Sequence, residues 1–420
     1  MCNGTIMDKL ISFSIPLMLS GILQLMFNAV DIVVVGHFSG SQALAAVGST
    51  TALINVFTNL FIGISLGANV LAARYYAVGK TKEMSETVHT AIALALVSGV
   101  AMAVIGVVFA RGALEIMGTP DDVIAKSTLY MRIYFCGMPF FMMYNYGAAI
   151  LRAVGDTKRP LIFLIVSGVI NAVLNLFLVI GFHLDVAGVG IATVISQLVS
   201  CILVLRCLHH TESSYQLHLA KLRIRSVYLK QIFEVGVPAG IQSTVINISN
   251  AMLQSSVNSF GSIAMAGYTA SNNIFGFLYV SVNSFTQACM SFTSQNYGVK
   301  KLKRMDRVLI DCMILSVVVT LILGSSVYIF GPELLHIYSN QADVIKYGME
   351  IFSYTTVTYF LCGLMDLFPG ALRGMGYSTV PMILSIIGTV GVRIIWIYGL
   401  FPSHRSLTFL FLSYPVSWIA

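Results

Sequence analysis

Charge is what this sequence has least of. Only 10% of its 420 residues are Asp, Glu, Lys or Arg, whereas 57% are apolar and the mean hydropathy is +0.85. Soluble domains usually carry about 25% charged residues. A soluble chain of this length needs more charge to cover its surface. The composition therefore disfavours a soluble enzyme, a disordered chain and a nucleic-acid-binding domain.

Several motifs for catalysis and metal binding are also missing. The sequence has no HExxH zinc motif and no cluster of Cys and His at metal-ligand spacing. Its seven cysteines include no CxxC pair, and we interpret them as small apolar residues. Gly79-Lys80-Thr81 resembles the end of an ATP-binding Walker A loop, but Arg74 replaces the required first glycine. We therefore expect no enzyme activity and no cofactor, with an ion gradient as the energy source.

Long apolar runs, broken by Gly, Pro or charge, predict an all-α integral membrane protein. A bilayer-spanning helix takes about 20 residues and twelve take about 240, which is close to the apolar share of this chain. The last run is too short to cross and shows no stop signal, so we expect the twelfth helix to be cut short. The predicted spans are residues 10–35, 43–73, 87–110, 127–151, 161–182, 186–208, 232–258, 263–296, 308–330, 344–372, 382–400 and 407–420.

The basic residues predict the orientation of these spans. Most of the 24 Lys and Arg lie in alternate loops, on the side that also holds the N-terminus. Basic loops stay on the cytoplasmic side of a membrane, so we expect a multi-pass cell-membrane protein with a cytoplasmic N-terminus. The net charge of +7 is thus interpreted as a topology signal beside lipid headgroups, and no nucleic-acid partner is expected.

The chain repeats itself at a shift of 221 to 222 residues. Six spans doubled in one register predict two pseudo-symmetric lobes, related by an axis along the membrane normal because six is even. We predict an N-lobe over residues 1–208, a cytoplasmic linker over 209–231 and a C-lobe over 232–420. The matches include Pro16 with Pro238, Asn28 with Asn250, Gly40-Ser41 with Gly261-Ser262, Tyr76 with Tyr297, and Leu151-Arg152 with Leu372-Arg373.

Asp31 is the most conspicuous ionisable residue, because it lies deep in the first span. Gln24, Asn28 and Asp31 recur at helical spacing and form a polar stripe on an apolar helix. Such an acid is costly within a membrane and is usually functional, as a Na⁺ ligand or a proton acceptor. Asn171 and Asn175 share one face of span five, and Thr193 lies in span six. These polar groups suit an ion site, and equally suit hydrogen bonds that hold helices together.

Spans seven and eight are rich in amides and predict a hydrated cavity. They include Asn250, Asn272 and Asn273, which we assign to a substrate cavity together with Gln24, Asn28 and the second-half acid Asp366. Arg393 lies near the middle of span eleven, where it can snorkel or pair with a buried acid such as Asp366. The 20 Met and the many aromatic side chains suit promiscuous apolar ligands, and ordinary bundle packing explains them as well.

Together these motifs resemble the multidrug and toxic compound extrusion (MATE) family of secondary transporters. The resemblance rests on Ile15-Pro16-Leu17, the Asn28-x-x-Asp31 run, and three segments at 40–48, 151–160 and 371–376. It covers essentially the whole chain. It implies two six-helix lobes around a central cleft, and export of cationic or amphipathic compounds in exchange for Na⁺ or H⁺. We also expect the chain to work as a monomer.

The resemblance also implies an ion site in the N-lobe. The family's Asp in span one, its two polar residues in span five and its Thr in span six correspond to Asp31, Asn171, Asn175 and Thr193. Some members have Asp at the second position of span five, so Asn175 lowers the charge of the site and leaves Na⁺ and H⁺ both open. Span seven lacks an internal acid, which argues against a second site in the C-lobe.

The sequence fits three other functions less well than export. A flippase for lipid-linked sugars needs a large basic cavity, whereas only two basic residues, Arg132 and Arg393, lie inside the predicted spans away from their ends. A membrane enzyme lacks a catalytic cluster. A passive channel is disfavoured by the two-lobe repeat with its buried acid.

Overall fold

The structure is a computed structural model of the chain. It describes the backbone of residues 1–420 and every side chain except those of Ser41 and Ala52, so the Ser41 of the repeat motif is not among the described side chains. Over this part of the chain the protein is helical, without a β-strand. The helices are α1 (Met7–Phe38), α2 (Gly40–Val78), α3 (Thr81–Ile116), α4 (Asp121–Cys136), α5 (Met138–Ala153), α6 (Lys158–Leu176), α7 (Asp185–His210), α8 (Ser226–Asn258), α9 (Ser262–Gly298), α10 (Leu302–Ile329), α11 (Gly331–His336), α12 (Ala342–Thr355), α13 (Tyr359–Gly374), α14 (Thr379–Ser385), α15 (Val392–Ile395), α16 (Leu407–Phe411) and α17 (Ser413–Ile419).

These helices form the twelve segments that the apolar runs predict. Seven helical stretches are long and apolar enough to cross a bilayer, and the bent pair α12–α13 makes an eighth. Span four consists of α4 and α5, which meet at Gly137. Helices α8 and α9 do not qualify as apolar spans, in keeping with the amides that predict a cavity there.

Local departures from the α-helix occur in spans five, ten and eleven. A π-helical turn continues α6 over Phe177–Gly181, and two more, Ile386–Gly391 and Trp396–Leu400, flank α15. The α12 and α13 axes differ by 53°. Such turns free backbone groups from the regular hydrogen-bond ladder, which is common at functional sites.

Contacts divide the chain into two compact units. The N-terminal unit comprises Leu19–Gly240, and the C-terminal unit comprises Met1–Met18 with Ile241–Ala420. The division therefore falls within α1 and α8, two residues after Pro16 in one helix and two after Pro238 in the other. The predicted lobes, residues 1–208 and 232–420, are halves of the sequence repeat and differ from these contact-based units. The boundaries of the lobes stay a prediction.

The internal repeat is visible in the backbone. Positive φ angles recur at a separation of 221 residues, and each marks the same kind of helix boundary in both halves. The pairs are Gly40 and Gly261 (84° and 101°), Gly79 and Lys300 (75° and 58°), and Gly155 and Gly376 (100° and 98°). In the second pair the left-handed conformation is kept even though Lys300 stands in place of glycine.

Within the N-terminal unit, α2 and the first part of α8 pack backbone to backbone. Each helix carries two glycines four residues apart, Gly63 and Gly67 on α2, Gly236 and Gly240 on α8. A Cβ added to Gly63 would lie 2.3 Å from the Cα of Gly240, and one added to Gly67 would lie 2.1 Å from a backbone oxygen of Ile232. This is the small-residue packing that lets membrane helices approach closely.

The same glycines explain a G-x-S-x-G pattern at residues 63–67, which in hydrolases can mark a catalytic serine. Here the pattern lies inside a continuous helix rather than at a strand-to-helix turn. The Ser65 hydroxyl donates to the Ile62 carbonyl at 2.6 Å. Helix packing therefore accounts for these residues.

Candidate functional site

Asp31 lies at the end of a hydrogen-bonded chain of polar side chains within the N-terminal unit. The Asn175 amide donates to Asp31 Oδ1 and to Asn171 Oδ1, the second at 3.2 Å. Asn171 Nδ2 lies 3.5 Å from Thr193 Oγ1, and the Thr193 hydroxyl donates to the Val189 carbonyl at 2.9 Å. The four residues predicted to form an ion site are therefore brought together by the fold.

Local geometry explains why these side chains meet. Asn171 and Asn175 are one helical turn apart on α6, so both point to the same neighbours. Gly168, on the preceding turn, leaves room for Phe27 of α1, because a Cβ there would lie 1.9 Å from the Phe27 ring. That close approach brings α1, and with it Asp31, against α6.

The cluster contains one acid and an unsatisfied acceptor. Asn171 and Asn175 are buried, whereas Asp31 and Thr193 are half-buried. Both hydrogens of the Asn175 amide are used, but its oxygen Oδ1 is buried and accepts no hydrogen bond from the described residues. A buried acceptor without a donor is costly, and beside a carboxylate it offers a second oxygen to a cation.

Three further residues adjoin this cluster and escape the sequence analysis. Tyr130 and Tyr134 of α4 interact electrostatically with Asp31, and the Tyr134 hydroxyl adjoins the Gln197 amide. The Gln197 side chain lies over Gly137, since a Cβ on this glycine would be 2.4 Å from Gln197 Oε1. The available sequence signal was spacing: Tyr130 and Tyr134 are four residues apart, as are Thr193 and Gln197.

The predicted cavity residues belong to both units. Gln24 and Asn28 in the N-terminal unit are exposed, as are Asn272 and Asn273 in the C-terminal unit. Asn250 is half-buried and accepts a hydrogen bond from Arg393. Their assignment to a substrate cavity is a prediction that the described contacts leave open.

Asp366 is half-buried, and its charged neighbour is Arg373. Arg373 is buried and donates to Gln242 Oε1 at 2.5 Å. The sequence left open a pairing of Arg393 with Asp366, and the fold does not pair these two residues. Arg393 instead bonds neutral groups of α8 and α17, because these are the helices packed against this part of span eleven.

Among the described residues, no group of three His, Cys, Asp or Glu side chains could hold a metal ion. The polar site is instead an acid surrounded by amide and hydroxyl groups. A duplicated, helical, multi-pass membrane fold with such an acid inside one unit is typical of membrane transporters.

The MatE family profile matches residues 16–177 and 238–398, once for each half of the repeat. The chain belongs to the MatE family, as its motifs predicted.

Curated relatives and solved structures agree with this assignment. The chain is 29% identical over 389 residues to "Probable multidrug resistance protein YoeA" of Bacillus subtilis (strain 168), covering 91% of this chain and 84% of the relative. It is 23% identical to "Multidrug export protein MepA" of Staphylococcus saprophyticus, with 95% and 89% covered. The fold matches an outward-facing multidrug resistance MATE family transporter with a TM-score of 0.91 at 19% identity, covering 99% and 93% of the two chains.

Proposed function

We propose that this protein exports cationic or amphipathic drug-like compounds in exchange for Na⁺ or H⁺. Support for the substrate class comes from relatives named as multidrug resistance and multidrug export proteins. Those names favour drug export over a flippase for lipid-linked sugars. In this proposal the protein works as a monomer in the cell membrane, with its N-terminus in the cytoplasm and its two lobes alternating in access.

The observation that carries the proposal is the hydrogen-bonded chain from Asp31 to Thr193. Asp31 is its single acid, so one monovalent cation neutralises the site. A Na⁺ ion would find oxygen ligands in Asp31, in the unsatisfied Asn175 Oδ1 and in the Thr193 hydroxyl. A proton on Asp31 would neutralise the same charge, which is why both ions fit.

Coupling follows if the ion alters this cluster. The Asn175 amide donates to a charged carboxylate, and it loses part of that bond once Asp31 is protonated or bound to Na⁺. Asn175 is then free to change its bonds to Asn171, so that α1 and α6 adjust their packing. An ion drives export only when the two access states bind it with different affinity.

The first test is dye efflux from proteoliposomes under a Na⁺ gradient and a pH gradient, each imposed separately. We expect one gradient to drive efflux, and Asp31→Asn to slow gradient-driven efflux by at least about tenfold, which equals about 1.4 kcal/mol. Asp122→Asn is the matched control, because it removes an exposed acid at the start of α4. Undiminished efflux by a folded Asp31→Asn variant would refute Asp31 as the coupling site, and wild-type flux that neither gradient drives would refute ion exchange itself.

A further inference from the structure

Arg393 is a buried cation held by neutral groups in the C-terminal unit. Its side chain is 3% exposed. Nε donates to Ser417 Oγ at 3.1 Å, and Nη1 donates to Asn250 Oδ1 at 2.7 Å. The guanidinium carbon lies 4.9 Å from the centre of the Tyr414 ring, a cation–π contact. The Tyr414 hydroxyl is itself 2.8 Å from that of Tyr268.

The internal repeat relates this cluster to the Asp31 cluster of the N-terminal unit. At the shifts of 221 to 222 residues that relate the two halves, the partners of Arg393 correspond to residues around the Asp31 cluster. At a shift of 222, Arg393 corresponds to Asn171 and Asn250 to Asn28. At a shift of 221, Tyr414 corresponds to Thr193 and Ser417 to Ser196. Spans seven, eleven and twelve thus meet at Arg393, as spans one, five and six meet at the pair Asn171 and Asn175.

The charges of the two clusters are opposite. At a shift of 222 the counterpart of Asp31 is Leu253, which is buried and apolar. Among described residues, no carboxylate forms an ion pair with Arg393 within 4.0 Å, and the charged neighbour of Asp366 is Arg373. An arginine is always protonated, so its positive charge stays in place throughout a transport cycle.

We propose that the Arg393 guanidinium is a built-in cation that takes the place of an exchangeable ion in the C-terminal unit. This inference rests on the proposed function. The guanidinium holds α8, α15 and α17 together permanently, as a bound ion would do only transiently in the N-terminal unit. Each cycle therefore exchanges one coupling ion, and that ion binds at Asp31.

The wild-type protein tests the number of ions directly. In proteoliposomes, a dye gradient is set against the flux of a monocationic dye that a Na⁺ or H⁺ gradient drives. The sizes of the dye gradient and the ion gradient at which net dye flux stops give the number of ions exchanged per dye. We expect one ion per dye, and no gradient-driven flux in Asp31→Asn. Two ions per dye, or residual coupled flux in Asp31→Asn, overturns the inference and leaves antiport intact. If no gradient drives wild-type flux, it is the proposed function that fails.

A chemical rescue tests the charge of Arg393. We expect Arg393→Ala to slow efflux, millimolar guanidinium to restore much of the rate, and urea, which has a similar shape but no charge, to leave it slow. Arg393→Lys keeps the charge and should retain most of the rate, also with one ion per dye. Wild-type protein in the same guanidinium concentration controls for competition with the dye. Equal rescue by urea would show that Arg393 only fills space, and would overturn the inference. If Arg393→Ala does not insert into the membrane, the number of ions that the wild-type protein exchanges per dye still tests the inference.

Discussion

At the scale of single residues, the Asp31 cluster shows how an acid is tolerated inside an apolar helix. Burying a carboxylate without partners costs several kcal/mol, and hydrogen bonds from neighbouring amides offset part of that cost. Asn175 supplies the donor to Asp31, whereas Asn171 and Thr193 orient Asn175 from further away. Removing a donor next to the charge should therefore matter more than removing a distant member.

This order gives a graded prediction. Asn175→Ala removes the bonds to both Asp31 and Asn171, so we expect coupled efflux to fall by about tenfold, which equals about 1.4 kcal/mol. Thr193→Val keeps the side-chain shape. It loses the long contact of 3.5 Å with Asn171 and the bond to the Val189 carbonyl of its own helix, neither of which reaches Asp31, so efflux should fall by less than about threefold. Initial rates of efflux at matched protein levels measure both. A larger loss in Thr193→Val than in Asn175→Ala would contradict the order of the chain.

The members of this cluster were recognisable from spacing and scarce charge, and the family resemblance joined them into one predicted site. Asn171 and Asn175 share a helix face through their spacing alone, and Asp31 stands out because charge is so scarce in the spans. The partners of Arg393 were not predictable in the same way. Asn250, Tyr414 and Ser417 are separated from it in sequence, and only the packing of α8 and α17 brings them to it.

At the scale of helices, the contact between α2 and α8 depends on glycine because backbone atoms fill the space that a side chain would need. Gly67→Ala places a methyl group 2.1 Å from the Ile232 oxygen, so the helices must separate. We expect a loss of about 1–3 kcal/mol of stability, the usual cost of overpacking, and a lower melting temperature.

The control for Gly67→Ala lies on the same helix. A Cβ on Gly48 meets no atom within 4 Å, and alanine favours helices over glycine. Gly48→Ala should therefore leave the melting temperature unchanged or raise it. Thermal unfolding of both variants in detergent, followed by the loss of monodisperse protein, compares them. Equal melting temperatures for the two variants would show that the close contact carries no stability.

The elements divide into those that local sequence determines and those that packing determines. Apolar runs predicted the twelve segments, because each must bury about 20 residues in lipid. The meeting of α4 and α5 at Gly137, the 53° bend between α12 and α13, and the π-helical turns were not predicted. A broken span has the same hydropathy as a straight one, so only its packing partners reveal the break.

At the scale of the whole molecule, the predicted linker 209–231 is attached to the N-terminal unit rather than free. Glu86 of α3 forms ion pairs with both Arg223 and Arg225, the second at 3.2 Å. The Arg225 amide donates to Thr90 Oγ1 at 3.3 Å. His89 is buried, and its Nε2 accepts from the His218 amide at 3.1 Å. One face of α3 thus holds the linker at several points.

Glu86 allows this attachment to be tested. Glu86→Gln replaces two charged pairs by neutral contacts, and since both arginines are about half exposed the loss should total about 1 kcal/mol. That free energy corresponds to roughly a fivefold increase in the opening of the linker. We expect hydrogen exchange of amides 211–225 to accelerate by about this factor, while the exchange of α5 stays unchanged. Glu212→Gln is the matched control, because Glu212 is an exposed acid of the linker itself and forms no ion pair among described residues. If Glu212→Gln accelerated exchange as much as Glu86→Gln, linker charge alone would explain the effect and α3 would not be the anchor.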